Sequence, residues 1–461
     1  MRSSRGSATV AGVIVALASI AGLAVALTNA DVVGVALTLL IGVLTVTVQA
    51  FSVRHLRGDP RAGRFLLLSA VFAAASVVAA IATTPLVLAI GWTAASAVML
   101  ALLATGGSAQ TRVAVIRSGV AFAVGDLALW GAVLLALTAA PGTRFADLGG
   151  LSSPVALLVG VLVGVAAVAR AASVPLHGWL PTTVASTTPV SALLHAGFVN
   201  AGALLLFRFD PVPSLAAAAV AGIAGAVTVV AAGAAMLTRG DVKGRLVQST
   251  AAQMGFMLLA CSLGGYAVAF VHVIGHALFK ASLFLGAGSA LERALTARRA
   301  NPPVPDRPAQ ATAAGIVILA AGAAVVGTGV WATPSGALLL FVIATGVVAA
   351  WQLGAGTRPR VARLLTAAAV AGAVVLYVLL ISALDTAAPL TAAQEVMPPV
   401  LAVITFLAAI AVLVLAHRGG PLADRVYVLA HAWGRPPLPP PTADLPVDAY
   451  LPGPREYRST P

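Results

Sequence analysis

Residues 8–27 read ATVAGVIVALASIAGLAVAL, an apolar run without one ionisable side chain. At about 1.5 Å of rise per residue, a helix of that length crosses the roughly 30 Å hydrocarbon core of a bilayer. Backbone N–H and C=O groups in lipid must be satisfied inside their own segment, so the run is read as a helix. Arg2 and Arg5 precede it, as they would in a signal peptide, but no small-residue cleavage site leads into a soluble domain. It is therefore read as a first span. Runs of the same kind recur as far as residue 416. The fold class expected from them is all-α, a polytopic transmembrane helical bundle of about fourteen spanning helices with one broken helix.

Composition agrees with that reading. The 461 residues are 60% hydrophobic and 9% charged, with a mean hydropathy of +1.01, against roughly 25% charged residues in soluble domains. The net charge of +13 would suggest a nucleic-acid partner in a soluble protein. Here its placement matters more. With the amino terminus in the cytoplasm, the 27 Lys and Arg residues fall on cytoplasmic loops and the tail, except Arg144 and Arg208 outside and Arg170 and Lys280 within spans. This is the positive-inside asymmetry of a membrane protein, and no nucleic acid is needed to explain it. Both termini are expected in the cytoplasm. The single Cys261 excludes a disulfide framework and a cysteine-built metal centre. No phosphate-binding loop, dinucleotide fingerprint or metal-ligand spacing is present, so no cofactor, metal or catalytic site is expected within this chain.

Four segments are expected: a transmembrane core over 1–292, a charged and proline-rich cytoplasmic linker over 293–311, carboxy-terminal spans over 312–416, and a cytoplasmic tail over 417–461 with PPLPPP at 436–441. The tail is read as poorly ordered. The last four spans carry few ionisable residues, which suits packing or partner contact.

A charge within a span costs roughly 2.5–3.5 kcal/mol on insertion scales, so such residues tend to mark ion paths or paired sites. Asp126 lies in GVAFAVGDLALWG, Arg170 in VAVARAASVP and His195 in PVSALLHAGFVN; His272, His276 and Lys280 share VHVIGHALFKASLF. Spacings of four put these last three on one helical stripe, drifting about 40° per step. Imidazole titrates near pH 6.5, and desolvation eases deprotonation of a lysine, so neighbours of these types can exchange protons near neutral pH. The plainer alternative is interhelical hydrogen bonding. Asp126 is expected to balance Arg170 or Lys280, because a buried carboxylate needs a nearby cation.

Between them, VPLHGWLPTTVASTTPV at 174–190 contains Pro175, Pro181 and Pro189. Proline removes an amide donor and clashes with the preceding turn, so a helix must break here. Broken helices at membrane depth aim half-helix dipoles and free carbonyls at ions in secondary transporters. Arg170 closes the first half, where a carbonyl-rich terminus favours a cation.

PLHGWLP, TPVSALLHAG, DVKGRLVQSTAAQMGFM and HVIGHALFKASLFLGAGS occur in an order and spacing that resembles the antiporter-like membrane subunits of respiratory complex I and of multisubunit (Mrp) cation/proton antiporters. The resemblance covers at least residues 60–292. HAGFVNAG and QMGFMLLACSLGGYAVA look most like the DabB branch, membrane subunits of two-part inorganic carbon pumps of prokaryotic cell membranes. The soluble partner in those pumps, DabA, resembles a zinc carbonic anhydrase. The resemblance implies a proton path through His195, His272, His276 and Lys280, with Asp126 on the family's GD aspartate and Lys243 on the lysine of its DIK motif. Two positions depart from it. Thr93, after Gly91 and Trp92, replaces a glutamate, and Arg170 replaces the lysine of the broken helix. Arginine stays protonated, so it biases a neighbour's charge but does not relay a proton. The acidic broken helix expected near the end of a complex I subunit is missing. The implied function is cation conduction, of protons or Na+, coupled to a DabA-like zinc-containing cytoplasmic subunit. The rivals are a translocating subunit of a quinone-linked oxidoreductase or antiporter, and a purely structural assembly subunit.

Overall fold

The computed structural model describes residues 2–287, 306–354, 359–387 and 396–435. Among these residues there is no strand. The proline-rich stretch at 436–441, most of the linker, and Arg293, Arg298, Arg299, Arg358 and Glu395 lie outside the described residues.

The helices are α1 (Arg2–Thr28), α2 (Val32–His55), α3 (Ala62–Ala80), α4 (Pro85–Ala104), α5 (Ala109–Ala139), α6 (Ser153–Arg170), α7 (Thr188–Ala196), α8 (Ala201–Arg208), α9 (Ala216–Leu237), α10 (Val242–Ser262) and α11 (Tyr266–Leu285). The carboxy-terminal part adds α12 (Arg307–Thr328), α13 (Leu339–Gly354), α14 (Arg360–Ala387), α15 (Val400–Arg418) and α16 (Pro421–Gly434). Counting Thr188–Arg208 as one interrupted crossing, 13 described helices are long and apolar enough to span a membrane. Polar residues such as Gln248, Ser249, Thr250 and Gln253 keep α10 out of that set, yet α10 is buried along most of its length.

Local chemistry sets the starts. Asp31, Thr84, Ser108 and Asp241 each accept a hydrogen bond from an amide in the first turn of α2, α4, α5 and α10, which satisfies donors that a helix leaves free. Small residues set the closest packing. A Cβ on Gly225 of α9 would meet the Gly255 carbonyl oxygen of α10 at 2.6 Å, so the two backbones touch as glycine-mediated membrane helices do. Large apolar side chains such as Leu127 and Leu319 point outward, which costs nothing where the solvent is lipid.

The first eleven helices pack around one core. Helices α12, α13 and α14 close on a smaller one through Ala313, Val317, Ala350, Ala371 and Val374. Where four carboxy-terminal spans were expected to group together, α15 packs on α9 instead. Helix α12 opens at Arg307, inside the expected linker, because Asp306 caps it. On the face with few arginines, Arg208 donates to Asp31 Oδ2 and to the Ala80 carbonyl, both at 2.5 Å, tying α8 to the ends of α2 and α3.

Two local expectations are corrected. The tail is helical over Pro421–Gly434, since Pro421 starts the helix and Ala423, Ala430 and Gly434 supply a small-residue face that packs inward. The chain is also interrupted twice, over 171–187 and again at Gly197 to Asn200. His195 thus follows the first interruption and lies just ahead of the second.

Candidate functional site

The first interruption begins where α6 ends at Arg170. Ala172 takes a positive φ of 48°, a strained turn for a residue with a Cβ. Its surroundings satisfy the freed backbone. Trp179 Nε1 donates to the Ala169 carbonyl at 3.2 Å, and Val174 N donates to Thr228 Oγ1 at 2.9 Å. Pro175 follows a cis peptide bond. Pro181 sits in a short 3-10 turn over Leu180–Ala185, and Pro189 in the first turn of α7, where a missing amide hydrogen costs no helical bond. At the second interruption, Asn200 Nδ2 donates to the Ala196 carbonyl at 2.8 Å.

The candidate residues gather into two sets. In the first, Arg170 Nη2 lies 3.3 Å from Asp126 Oδ1 and 2.6 Å from Ser96 Oγ. Asp126 Oδ1 also accepts from Trp92 Nε1 at 2.7 Å. The Ser96 hydroxyl is 3.1 Å from both Asp126 Oδ1 and the Trp92 carbonyl; with one hydrogen, it donates to one of them at a time. The guanidinium is sandwiched, 3.8 Å from the Trp92 ring centroid and 4.1 Å from that of Phe198. Of the two cations expected to balance Asp126, the structure pairs it with Arg170. This is a compact buried ion pair with stacking on both faces. Next to it, Thr93 accepts from Trp130 Nε1 at 3.0 Å, so the position without the glutamate is filled by a neutral hydrogen bond.

The second set is a line. Lys243 Nζ donates to the Ser186 carbonyl. Ser186 Oγ donates to the Thr183 carbonyl at 2.7 Å, and Thr183 Oγ1 lies 3.2 Å from His195 Nε2. The His195 carbonyl accepts from His276 Nε2 at 2.9 Å, and His276 Nδ1 is 2.5 Å from Gln253 Oε1. His272 follows with its ring 6.0 Å from that of His276. Lys280, fully buried, donates to the Leu246 carbonyl at 3.1 Å. The His195 ring stacks on Phe284 at 4.6 Å. Among the described residues neither Lys243 nor Lys280 has a carboxylate within ion-pair distance, and His195 Nδ1 and His272 Nε2 have no hydrogen-bond partner.

Sequence reasoning missed Trp92, Ser96, Thr183, Ser186, Gln253 and Phe284. A signal existed for Gln253 alone: it lies seven residues, two helical turns, from Leu246 in the most polar of the crossings, so it shares the face that receives Lys280.

Residues 82–301 match the family model described as NADH:quinone oxidoreductase/Mrp antiporter, transmembrane. Over those residues the chain is similar to the transmembrane domain of that family. The matched stretch begins just before α4 and includes both interruptions and both polar sets. Over 272 residues the chain is 34% identical to the "Probable inorganic carbon transporter subunit DabB1" of Halothiobacillus neapolitanus, covering 56% of this chain and 48% of the relative. Over 265 residues it is 34% identical to "NADH-ubiquinone oxidoreductase chain 5" of Schizophyllum commune, covering 55% and 39%. The matched part is thus less than half of either relative. Among solved structures, the Mrp complex from Dietzia sp. superposes with a TM-score of 0.54 at 25% identity, covering 88% of this chain and 44% of the other. This part of the chain is therefore similar to an inorganic carbon transporter subunit, to a quinone oxidoreductase chain and to a chain of an Mrp complex alike.

Proposed function

We propose that this chain is the proton-conducting membrane subunit of a complex that accumulates inorganic carbon. Cations fall inward along the line from His272 and His276 through His195 to Lys243, with Lys280 as a further titratable group beside it, and their flow is coupled to a cytoplasmic, DabA-like partner that holds zinc and hydrates CO2 to bicarbonate. The observation that carries the reading is the run of contacts from Lys243 by way of Ser186, Thr183, His195 and His276 to Gln253. Imidazole and amine both accept and release protons, whereas the backbone carbonyls in the line only accept, so water must bridge those positions. Arg170 supplies a fixed positive charge and Asp126 its counter-charge; neither needs to carry the moving proton. The likeness to an inorganic carbon transporter subunit over 56% of the chain supports the choice of cargo. The core proposed for this activity is 1–292, with the later spans as its flank.

The test is His276→Ala or Lys280→Ala in cells that depend on the complex. Bicarbonate accumulation should be lost while the complex still assembles and copurifies. Unchanged uptake would remove both residues from the mechanism.

A second reading has its own support. The same domain is 34% identical to a quinone oxidoreductase chain and superposes on an Mrp complex, so a translocating subunit of either assembly fits the fold equally well. Copurification separates the two. One large zinc protein supports carbon accumulation, whereas several small membrane subunits, or flavin and iron–sulfur proteins, support the second reading.

A further inference from the structure

The last described helix makes contacts that none of this requires. After α15, Gly419 and Gly420 take φ values of 70° and 100°, a conformation that L side chains avoid, and the chain turns so that α16 packs on α9. Its carboxy-terminal end is fixed at three points. The Gly434 carbonyl accepts from Gln248 Nε2 at 3.2 Å and from Arg239 Nη1 at 3.5 Å. Trp433 meets the His177 ring edge-on, with centroids 4.6 Å apart. A Cβ on Gly434 would lie 3.2 Å from Ala235 Cβ, so the approach is close. Gln248 is buried and lies on α10 two residues beyond Leu246, whose carbonyl receives Lys280. His177 belongs to the first interruption, the same segment whose Ser186 carbonyl receives Lys243.

We propose that α16 is a latch on the interrupted segment, and that Trp433 and Gly434 are positioning residues for conduction. By gripping His177 on one side and Gln248 on the other, the latch holds the 171–187 segment against α10, so that Ser186 stays in reach of Lys243. Undocking it lets the segment move and parts the line at its basic end. The conduction half of this inference rests on the proton-path reading above; the latch itself rests on contacts alone.

Hydrogen exchange and proton uptake, both measured on the full chain in its copurified complex in liposomes, test the two halves separately. Trp433→Ala should speed amide exchange over 171–187 about three- to tenfold, the worth of one edge-to-face aromatic pair, and lower proton uptake by a similar factor. Trp433→Phe, which keeps an aromatic edge, should restore both, and Gly434→Ala should act in the direction of Trp433→Ala by pushing the helix end off Ala235. Unaltered exchange in Trp433→Ala and Gly434→Ala overturns the latch. Faster exchange with unaltered uptake overturns its role in conduction, and so does a rise in uptake, which would make α16 a plug. His276→Ala, measured alongside, should abolish uptake; if it does not, the failure belongs to the proton-path reading.

Discussion

The set around Arg170 and the set around His276 are buried in the same bundle but built in opposite ways. At Arg170 a permanent cation faces a carboxylate at 3.3 Å, a hydroxyl at 2.6 Å and two aromatic faces. Charge there is matched in place. Along the line from Lys243 to Gln253 the groups are amines, imidazoles, hydroxyls, an amide and carbonyls, with no described carboxylate in contact with either lysine. Among the described residues, His195 Nδ1 within this line and His272 Nε2 beside it have no hydrogen-bond partner. A matched ion pair resists change, since moving either charge exposes the other. Unpaired titratable groups joined by hydrogen bonds are free to trade protons. The contrast assigns the first set to holding and the second to moving charge.

That division predicts different failures. Arg170→Ala should have the largest effect of all, because it strands Asp126 in the bundle; removing one partner of a buried pair costs about 3–5 kcal/mol. The yield of folded protein in membranes should fall steeply, and thermal melting of what remains should drop. Arg170→Lys keeps the charge but not the fork or the stacking, so folding should largely return. If Arg170→Ala instead folded normally and lost only transport, the holding role would be wrong.

Gln253→Leu should behave in the reverse manner. It leaves His276 Nδ1 without its hydrogen-bond partner at 2.5 Å, a loss of about 1–3 kcal/mol. Transport should fall roughly five- to a hundredfold, with melting shifted much less than in Arg170→Ala. Gln253→Glu, which keeps a polar group beside Nδ1, should retain transport. Equal loss of stability in Gln253→Leu and Arg170→Ala would erase the distinction between the two sets.

How much of this was legible in the sequence follows from what each pattern encodes. Apolar runs report the spans one by one, because the bilayer fixes their length. The residues that bear charge stand out against those runs, and Asp126, Arg170, His195, His272, His276 and Lys280 could be named without a structure. Their partners could not. Trp92 and Ser96 look like ordinary span residues, and their roles depend on α4 lying beside α5 and α6, which no local pattern specifies. The second interruption was hidden for a related reason: Gly197 and Asn200 sit in an apolar stretch with no proline, and only the tertiary setting lets the chain slip into a 3-10 turn there. Helix α16 was missed because its 14 residues are too few for a span and were judged by the polar composition of the tail around them.

The smallest expected effect lies outside the membrane and tests the holding principle where water screens it. Asp306 caps α12 and pairs with Arg363 at the start of α14. The hydrogen bond from Arg363, helped by that from the Ala309 amide, holds its carboxyl below the ordinary carboxylate value. The sign follows from linkage. A carboxylate whose folded-state pKa is depressed adds stability above its unfolded pKa of about 3.9 and loses it as pH falls through the lower folded value. Contact between α12 and α14 should therefore be constant from neutral pH down to mildly acid conditions and weaken only below that, as read by proteolysis of the α12 to α14 group. Asp306→Asn should remove this dependence while changing neutral-pH stability little, because the Asp306 side chain is 38% exposed and an ion pair partly open to water contributes little. A loss approaching that of Arg170→Ala would mean that burial is not what separates the two ion pairs, and the reasoning that makes Arg170 a holding residue would have to be rebuilt on geometry alone.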